Sequence, residues 1–152
     1  TAYEMMEEKE ETETESEALA GKRLLLAEDD RLCGEILCEL LEDETGRPVS
    51  IAANGRAALE MFESANGEYD AIIMDVQMPV MNGYEAARAI RRSGCGNAKT
   101  VPIIALTADA SEESARSAAD SGMNGCLAKP VNIDRLRKAV AAALKSLSVA
   151  YR

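Results

Sequence analysis

The sequence contains no histidine and no tryptophan, and aromatic residues make up only 3% of its 152 residues. Without histidine the chain cannot hold a Ser-His-Asp triad, a histidine metal site or a phosphohistidine. Any chemistry that needs an imidazole must take it from another protein. Because aromatics are scarce while hydrophobic residues reach 47%, we expect an aliphatic core in one domain of ordinary size.

Three further features are missing, and each excludes a class of protein. The four cysteines, at positions 33, 38, 95 and 126, form no C-x-x-C pair, so we expect buried free thiols rather than a zinc site. No apolar run approaches the length of a membrane span, and no signal-peptide pattern is present. No basic stripe is available to neutralise phosphates, so the sequence predicts no nucleic-acid partner and no membrane contact.

Negative charge is concentrated at the N-terminus. The net charge is −10, and residues 1–20 alone hold eight Glu and one Lys. Self-repulsion and few apolar residues predict a flexible acidic linker or leader over 1–20, with an acidic docking tail as the alternative. The first residue is Thr rather than Met, which favours a fragment of a longer protein. We expect a single domain over 21–148 and a short tail over 149–152.

From residue 22 onward, strand-like and helix-like segments alternate. Strands are predicted over 23–27, 49–52, 71–74, 101–106 and 125–128, and helices over 31–42, 55–64, 84–92, 111–121 and 133–147. The strands are continuous apolar runs, as in a parallel sheet covered on both faces. The pattern predicts an α/β fold, a doubly wound (βα)5 domain. In the first helix the apolar stripe predicted to face the core is Leu32, Ile36, Leu37, Leu40 and Leu41.

Polar side chains stand where the predicted strands end. Glu28 and Asp29 follow the first strand, Asp75 the third, Thr107 the fourth and Lys129 the fifth. Because the carboxyl ends of parallel strands meet at one crevice, we expect these groups to lie close together. Carboxylates, a hydroxyl and an ammonium gathered there predict a divalent metal and a phosphoryl group.

The acidic residues suit Mg²⁺, which prefers oxygen ligands and keeps several waters. Asp29 and Asp75 are the predicted direct ligands, Glu28 would hold a metal-bound water, and the backbone carbonyl of Gln77 would complete the shell. Mn²⁺ is a possible substitute. Each residue alone is weak evidence, since an acidic residue at a strand end is usually a helix cap. Asp30 is the candidate cap here.

Asp75 can also act as a covalent nucleophile toward phosphorus, giving an aspartyl phosphate. The incoming phosphoryl group carries spread negative charge, so cations and hydrogen-bond donors must surround it. Lys129 is the predicted cation beside the metal, and the Thr107 hydroxyl is the predicted donor to a phosphoryl oxygen. Asp75, Lys129 and Thr107 are therefore the candidate catalytic residues.

The set Glu28-Asp29, Asp75-x-x-x-Pro79, Thr107 and Lys129-Pro130 resembles the CheY-like receiver domain of response regulators in two-component signalling. The resemblance covers roughly residues 23–147. The runs 74–86 and 122–130 are most similar to receivers of hybrid sensor histidine kinases.

The resemblance implies a flavodoxin-like fold with a five-stranded parallel sheet in the order 2-1-3-4-5. It implies Mg²⁺-dependent phosphorylation of Asp75 by a phosphohistidine of a partner. That partner would be a histidine kinase dimerisation and phosphotransfer domain or a histidine phosphotransfer protein. Glu28 and Asp29 would be the acidic pair, Lys129 the family's lysine, and Thr107 the switch hydroxyl that moves its loop and the following helix.

Several positions around this set are expected to tune or report the switch. Gln77 and Asp109 lie two residues past Asp75 and Thr107, where receivers tune the lifetime of the phosphoryl group. Cys126 stands where receivers often carry a switching Tyr or Phe, and it would either fill the space passively or be redox-sensitive. The surface around Tyr84 and the helix over 111–121 is the predicted partner contact.

The sequence favours the phosphorelay receiver of a hybrid kinase over three other functions. A stand-alone response regulator is the main alternative, and a pseudo-receiver disagrees with the presence of all five site residues. An aspartyl phosphatase would need a second Asp where Gln77 stands. The chain itself is then no enzyme beyond self-phosphorylation and autodephosphorylation, whereas the parent protein would be a cytoplasmic or membrane-bound histidine kinase.

Overall fold

The computed structural model describes residues 19–150, with side chains described up to 145. The predicted linker over 1–20 therefore lies almost wholly outside the described residues. The strands are β1 Leu24–Ala27, β2 Ser50–Ala52, β3 Ala71–Asp75, β4 Ile103–Thr107 and β5 Gly125–Ala128. The helices are α1 Arg31–Thr45, α2 Gly55–Ser64, α3 Gly83–Arg92, α4 Glu112–Asp120 and α5 Ile133–Ala150. All neighbouring strands pair in parallel in the order β2-β1-β3-β4-β5, as predicted.

Apolar clusters cover both faces of the sheet. Successive residues of β3 point to opposite faces, with Ile72 in one cluster and Ile73 in the other. The first cluster includes Phe62 of α2 and Ile90 of α3, and the second includes Val140 of α5. This confirms the doubly wound fold and its mainly aliphatic core.

Helix caps fix the connections that follow the strands. The predicted cap Asp30, and likewise Asn54 and Asn132, accept hydrogen bonds from backbone N–H groups of the first helical turn. Ser111 caps α4 in the same way. Because the strands are parallel, the carboxyl ends of β1, β3, β4 and β5 lie at one edge of the sheet.

The predicted buried stripe of α1 is wrong for three of its five members. Leu32, Ile36 and Leu40 are 67%, 53% and 38% exposed. The residues of α1 that are buried are Gly34, Leu37, Cys38, Leu41 and Thr45. Small residues such as Gly34 and Cys38 carry little apolar signal, yet they let the helix lie close to the sheet. The helix is therefore rotated relative to the expectation, and three large apolar side chains face outward.

Three smaller differences also follow from packing. β5 is an edge strand and only half-buried, with Ala128 exposed, rather than a fully covered strand. Cys33 is exposed instead of buried, whereas Cys38 is buried. α5 continues to Ala150. None of the helices in the described range is long and apolar enough to cross a membrane.

Candidate functional site

A buried ion-pair cluster lies at the carboxyl ends of β1, β3 and β5. The ammonium of Lys129 donates to Glu28 Oε2 at 2.8 Å and to Asp75 Oδ2 at 2.9 Å. The side chains of Glu28 and Asp75 are only 3% and 6% exposed. Buried carboxylates are costly unless they are paired, so Lys129 is the group that allows both to be buried here. The sequence predicted that these three residues meet, and they do.

The acidic part of the cluster has the donor set of a divalent metal. Carboxylate oxygens of Glu28, Asp29 and Asp75 all lie within 4.8 Å of one another. Three carboxylates at strand ends, one of them exposed to solvent, fit the oxygen ligands and retained waters that Mg²⁺ prefers. Gln77 lies at the same place, and its backbone N–H donates to Asp75 Oδ1 at 3.3 Å.

Burial and charge act in opposite directions in this cluster. Burial raises the pKa of Glu28, the hydrogen bond from Lys129 offsets part of that rise, and the nearby charge of Asp75 adds to it. Burial alone would lower the pKa of Lys129, but its hydrogen bonds to Glu28 and Asp75 raise that pKa overall. The lysine is therefore held in its charged form, and the surrounding negative charge favours a second cation.

An open crevice of about 500 Å³ adjoins the cluster. Asp29 lines it on one side, and Gln77, Pro79 and Tyr84 line it on the other. The crevice is large enough for a phosphoryl group together with the side chain that delivers it. Two of its lining residues are neighbours of the Asp75 carboxylate: Asp29 in the acidic cluster and Gln77 through its backbone N–H.

The start of α3 packs directly on the strand that carries Asp75. The backbone N–H of Gly83 donates to the carbonyl of Val76 at 2.9 Å. A Cβ at Gly83 would overlap the backbone carbonyl oxygen of Asp75 and approach Val76 Cα to 2.9 Å. Only glycine allows this approach, so residue 83 helps to set the position of Asp75.

The Thr107 hydroxyl is bonded to its own loop. It donates to the backbone carbonyl of Asp109 at 3.1 Å and accepts from the Asp109 N–H at 3.3 Å. Thr107 is buried at the end of β4, and its carbonyl accepts from the backbone N–H of Lys129 at 2.8 Å. The Thr107 hydroxyl, the expected donor, thus lies beside the cluster but already donates its hydrogen bond to Asp109. The side chain of Asp109 is exposed.

Cys126 is half-buried on β5 and packs against the same core cluster as Tyr84. Burial raises the pKa of the Cys126 thiol, which keeps it protonated and unreactive at neutral pH. The pKa of Tyr84 is raised as well, mainly by burial and to a smaller extent by the neighbouring Cys126. Sequence reasoning did not connect these two residues, because they lie 42 positions apart in the sequence. The redox alternative for Cys126 gains no support from this environment.

The peptide bond between Lys129 and Pro130 is cis. Together with the strand order, the acidic cluster and the lysine, the crevice defines a class of protein: a doubly wound α/β domain with an acidic, lysine-paired site at its strand ends. The response regulator receiver domain family matches residues 24–141, and the chain belongs to that family.

Known relatives agree with this assignment. A probable histidine kinase 2 from Oryza sativa subsp. indica is 36% identical over 83% of the chain, which spans only 13% of that relative's length. The receiver domain of the sensor histidine kinase PA1611 from Pseudomonas aeruginosa PAO1, solved with magnesium in its active-site cleft, is 36% identical with a TM-score of 0.70. That comparison covers 83% of this chain and 99% of the other. The chemotaxis protein CheY4 of Vibrio cholerae is 34% identical with a TM-score of 0.74, covering 82% and 99%. The chain is thus a receiver domain homologous to those of hybrid histidine kinases.

Proposed function

We propose that Asp75 is the phosphoacceptor of this receiver and that it takes a phosphoryl group from a phosphohistidine of a partner protein. The observation that carries the proposal is the contact of one ammonium, Lys129 Nζ, with both buried carboxylates, Glu28 at 2.8 Å and Asp75 at 2.9 Å. The cation already lies where negative charge develops during transfer, so it need not reorganise.

In the proposed step, a carboxylate oxygen of Asp75 forms a bond to phosphorus while the phosphorus–nitrogen bond of the donor breaks. The donor imidazole, protonated on its other nitrogen, keeps the bonding electron pair and leaves as neutral histidine. Lys129 offsets the charge on the phosphoryl oxygens. Glu28, Asp29 and Asp75 would together hold Mg²⁺. The bound metal would neutralise part of the charge on the phosphoryl oxygens. The Gln77 N–H keeps Asp75 oriented toward the crevice.

The response to phosphorylation would begin at Thr107. To donate to a phosphoryl oxygen, its hydroxyl must leave the Asp109 carbonyl that accepts from it now. That exchange would pull on the loop before α4, a helix in which only Ala118 is buried. A helix with so little buried surface can shift at low cost, so the loop and α4 are the switching elements we propose.

The wider context belongs to the same proposal. The receiver domain would comprise residues 21–148, and it would be part of a hybrid histidine kinase rather than a stand-alone regulator. Its partner would be a histidine kinase phosphotransfer domain or a histidine phosphotransfer protein. The domain itself would transfer phosphoryl groups only onto and off Asp75, in the cytoplasm where such donors are made.

Intact mass spectrometry of the 152-residue chain after incubation with acetyl phosphate tests this proposal. With Mg²⁺ present, we expect a mass gain of one phosphoryl group that is absent in EDTA and absent in Asp75→Asn. Asp120→Asn is the matched control, because Asp120 is an exposed carboxylate at the end of α4. It should be phosphorylated like the wild type.

An adduct that persists in Asp75→Asn would place the phosphoryl group elsewhere and contradict the proposal. If wild type shows no adduct, beryllofluoride binding followed by a thermal shift separates rapid hydrolysis from an inactive site. Absence of both adduct and binding would mean that the domain is a pseudo-receiver.

A further inference from the structure

The side chain of Arg91, near the end of α3, donates four hydrogen bonds to oxygen atoms that carry no full charge. Its guanidinium donates to the Gly122 carbonyl from Nε at 2.9 Å and from Nη2 at 2.7 Å. It also donates to the Ala98 carbonyl at 3.0 Å and to Asn124 Oδ1 at 3.0 Å. None of the ion pairs made by the described residues includes Arg91. Burial lowers the pKa of this arginine, whose charge rests on these neutral acceptors.

These contacts hold the carboxyl-terminal end of α4. Gly122 comes two residues after Asp120, the last residue of that helix, and has a φ of 90°. A Cβ at Gly122 would approach Arg91 Cγ to 3.0 Å, so the arginine side chain lies directly against this backbone. Asn124 Oδ1 also accepts from the backbone N–H of Ile103 at 2.9 Å. The Arg91 anchor, formed by Arg91, Gly122 and Asn124, thus joins this end of α4 to α3 and to the amino ends of β4 and β5.

Burial differs between the two ends of α4 in the same direction. The stretch 108–110, before the helix, is exposed, and no residue of the first two turns of α4 is buried. The start of the helix is held through hydrogen bonds of the Thr107 and Ser111 hydroxyls. The buried side chains lie toward the anchored end: Ala118, Ser121 and Met123. One end of α4 is therefore packed and the other is not.

Movement of the two ends therefore has unequal cost. At the start, the Thr107 hydroxyl would exchange one hydrogen bond for another, and no buried side chain would be exposed. At the far end, a displaced Gly122 would leave a partly buried guanidinium without two of its hydrogen bonds. A charged group that loses its acceptors without returning to water costs its full desolvation penalty. The easier movement of α4 is a rotation about its anchored end rather than a shift of the whole helix.

We propose that Arg91 is the pivot of the switch, holding the end of α4 at Gly122 while phosphorylation moves the end next to Thr107. This rests on the proposed function, because the movement begins when the Thr107 hydroxyl turns to the phosphoryl group. The Arg91 anchor lies at the edge of the sheet opposite to the phosphoryl site, since it joins the amino ends of β4 and β5. Arg91 is thus a positioning residue that gives the movement of α4 its direction.

Amide hydrogen exchange measured by NMR, with and without beryllofluoride and Mg²⁺, tests the pivot. The start amides are those of Ser114 and Ala115, in the first turn of α4. The end amides are those of Gly122 and Met123, at the Arg91 anchor. All four donate hydrogen bonds, so their exchange reports local opening.

Three variants of the full chain are compared with the wild type. Arg91→Met removes the four donated hydrogen bonds and keeps an apolar side chain. Arg92→Met is the matched control, because Arg92 is the next residue of the same helix and is exposed. Asn124→Asp keeps the acceptor for Arg91 and Ile103 and adds the negative charge that the Arg91 anchor lacks, so it tests the anchor without removing a contact.

In the wild type we expect beryllofluoride to change exchange of the start amides by about fivefold or more and that of the end amides by less than about twofold. In Arg91→Met the ligand should change exchange at both ends by about fivefold or more, because nothing then holds Gly122. Arg92→Met should behave as the wild type does. In Asn124→Asp the end amides should exchange more slowly by about threefold or more, because a carboxylate is the stronger acceptor for a guanidinium.

Four results would overturn the pivot. End amides of the wild type that respond as strongly as the start amides would show that α4 moves as a whole. A response that stays confined to the start amides in Arg91→Met would show that Arg91 only stabilises the fold. If Arg91→Met does not fold, Asn124→Asp still decides, since equal or faster exchange of its end amides would contradict the anchor. A wild type that binds no beryllofluoride would instead remove the proposed function, and the pivot with it.

Discussion

At the scale of single residues, Lys129 has two tasks that the geometry combines. It compensates two carboxylates that are almost fully buried, and it places positive charge where a phosphoryl group would arrive. A buried charge without a partner costs several kcal/mol, so the lysine and the two carboxylates depend on one another. The two tasks can be separated, because one concerns folding and the other concerns rate.

Replacing Lys129 by Gln tests the catalytic task. The amide keeps most of the length of the side chain but removes the charge that opposes the phosphoryl oxygens. We expect the rate of phosphorylation by acetyl phosphate at saturating Mg²⁺ to fall by about 100-fold or more, the usual effect of losing one preorganised donor. Lys99→Gln, an exposed lysine before β4, should leave the rate unchanged. A loss of less than threefold in a folded Lys129→Gln protein would contradict the role.

Cys38 gives a prediction about alkaline pH. The pKa of the Cys38 thiol is raised from 9.0 to about 11. Burial is the largest cause, and the neighbouring Glu42 adds to it. The unfolded chain loses this proton near its ordinary pKa, whereas the folded protein keeps it until the higher one. The stabilisation is therefore complete below pH 9 and is lost as the pH rises toward 11.

Urea unfolding of wild type and Cys38→Ala between pH 7 and 11 measures this contribution. From pH 7 to 11 the wild type should lose on the order of 2 kcal/mol of unfolding free energy relative to Cys38→Ala. A difference that stays constant with pH would show that the thiol titrates normally in the folded protein.

At the scale of elements, glycines decide how closely the helices approach the strand ends. Gly34 in α1 has ordinary space, since an added Cβ would meet its nearest atom, Glu28 Cγ, at 3.6 Å. Gly83 at the start of α3 has none, because the backbone of Asp75 and Val76 occupies it. The same substitution should therefore have opposite effects at the two positions.

We expect Gly83→Ala to destabilise the domain by about 1–3 kcal/mol, the usual cost of forcing atoms into a packed region. It should also slow phosphorylation, because the overlap is with the backbone of Asp75 itself, and relieving it disturbs the contact between α3 and that residue. Gly34→Ala should be neutral or stabilising by up to about 1 kcal/mol, since alanine favours a helix interior. Denaturant unfolding and acetyl phosphate kinetics measure both effects. Equal destabilisation by the two substitutions would contradict the packing argument.

The α1 helix shows what periodicity could and could not predict. Its position and capping residue followed from the sequence, because Asp30 and the apolar run are local signals. Its orientation did not follow, since the pattern contains two apolar rows and only packing against β1 and α5 selects between them. The row with the smaller residues Gly34 and Cys38 is the buried one, because it lets the helix lie closer. A local pattern carries no information about that distance.

At the scale of the whole molecule, the strand order and the identity of the cluster were predictable from the sequence. Parallel strands that end in Glu28, Asp75 and Lys129 must bring those groups to one edge, whatever the details of the loops. The state of Thr107 was not predictable, because its bonds to Asp109 depend on the backbone path of one loop. The neighbourhood of Tyr84 and Cys126 likewise depends on how α3 packs beside β5.

The acidic cluster joins the ends of β1 and β3, so metal binding should stabilise the whole domain. Three carboxylates within 4.8 Å of one another repel, and a divalent cation that binds only the folded arrangement removes that repulsion. At 100 times its dissociation constant, Mg²⁺ should add ~2.7 kcal/mol to the free energy of unfolding, and each kcal/mol raises Tm by about 2–4 °C in a domain of this size.

Differential scanning calorimetry with Mg²⁺ and then with EDTA measures the shift in Tm. KCl at matched ionic strength controls for screening of the net charge of −10. Asp29→Asn removes part of the repulsion among the three carboxylates, so it should unfold at a similar or higher temperature without metal, and it should lose most of the Mg²⁺ response. If KCl reproduces the shift, or if Asp29→Asn keeps it, the cation acts through general screening and the cluster is not its site.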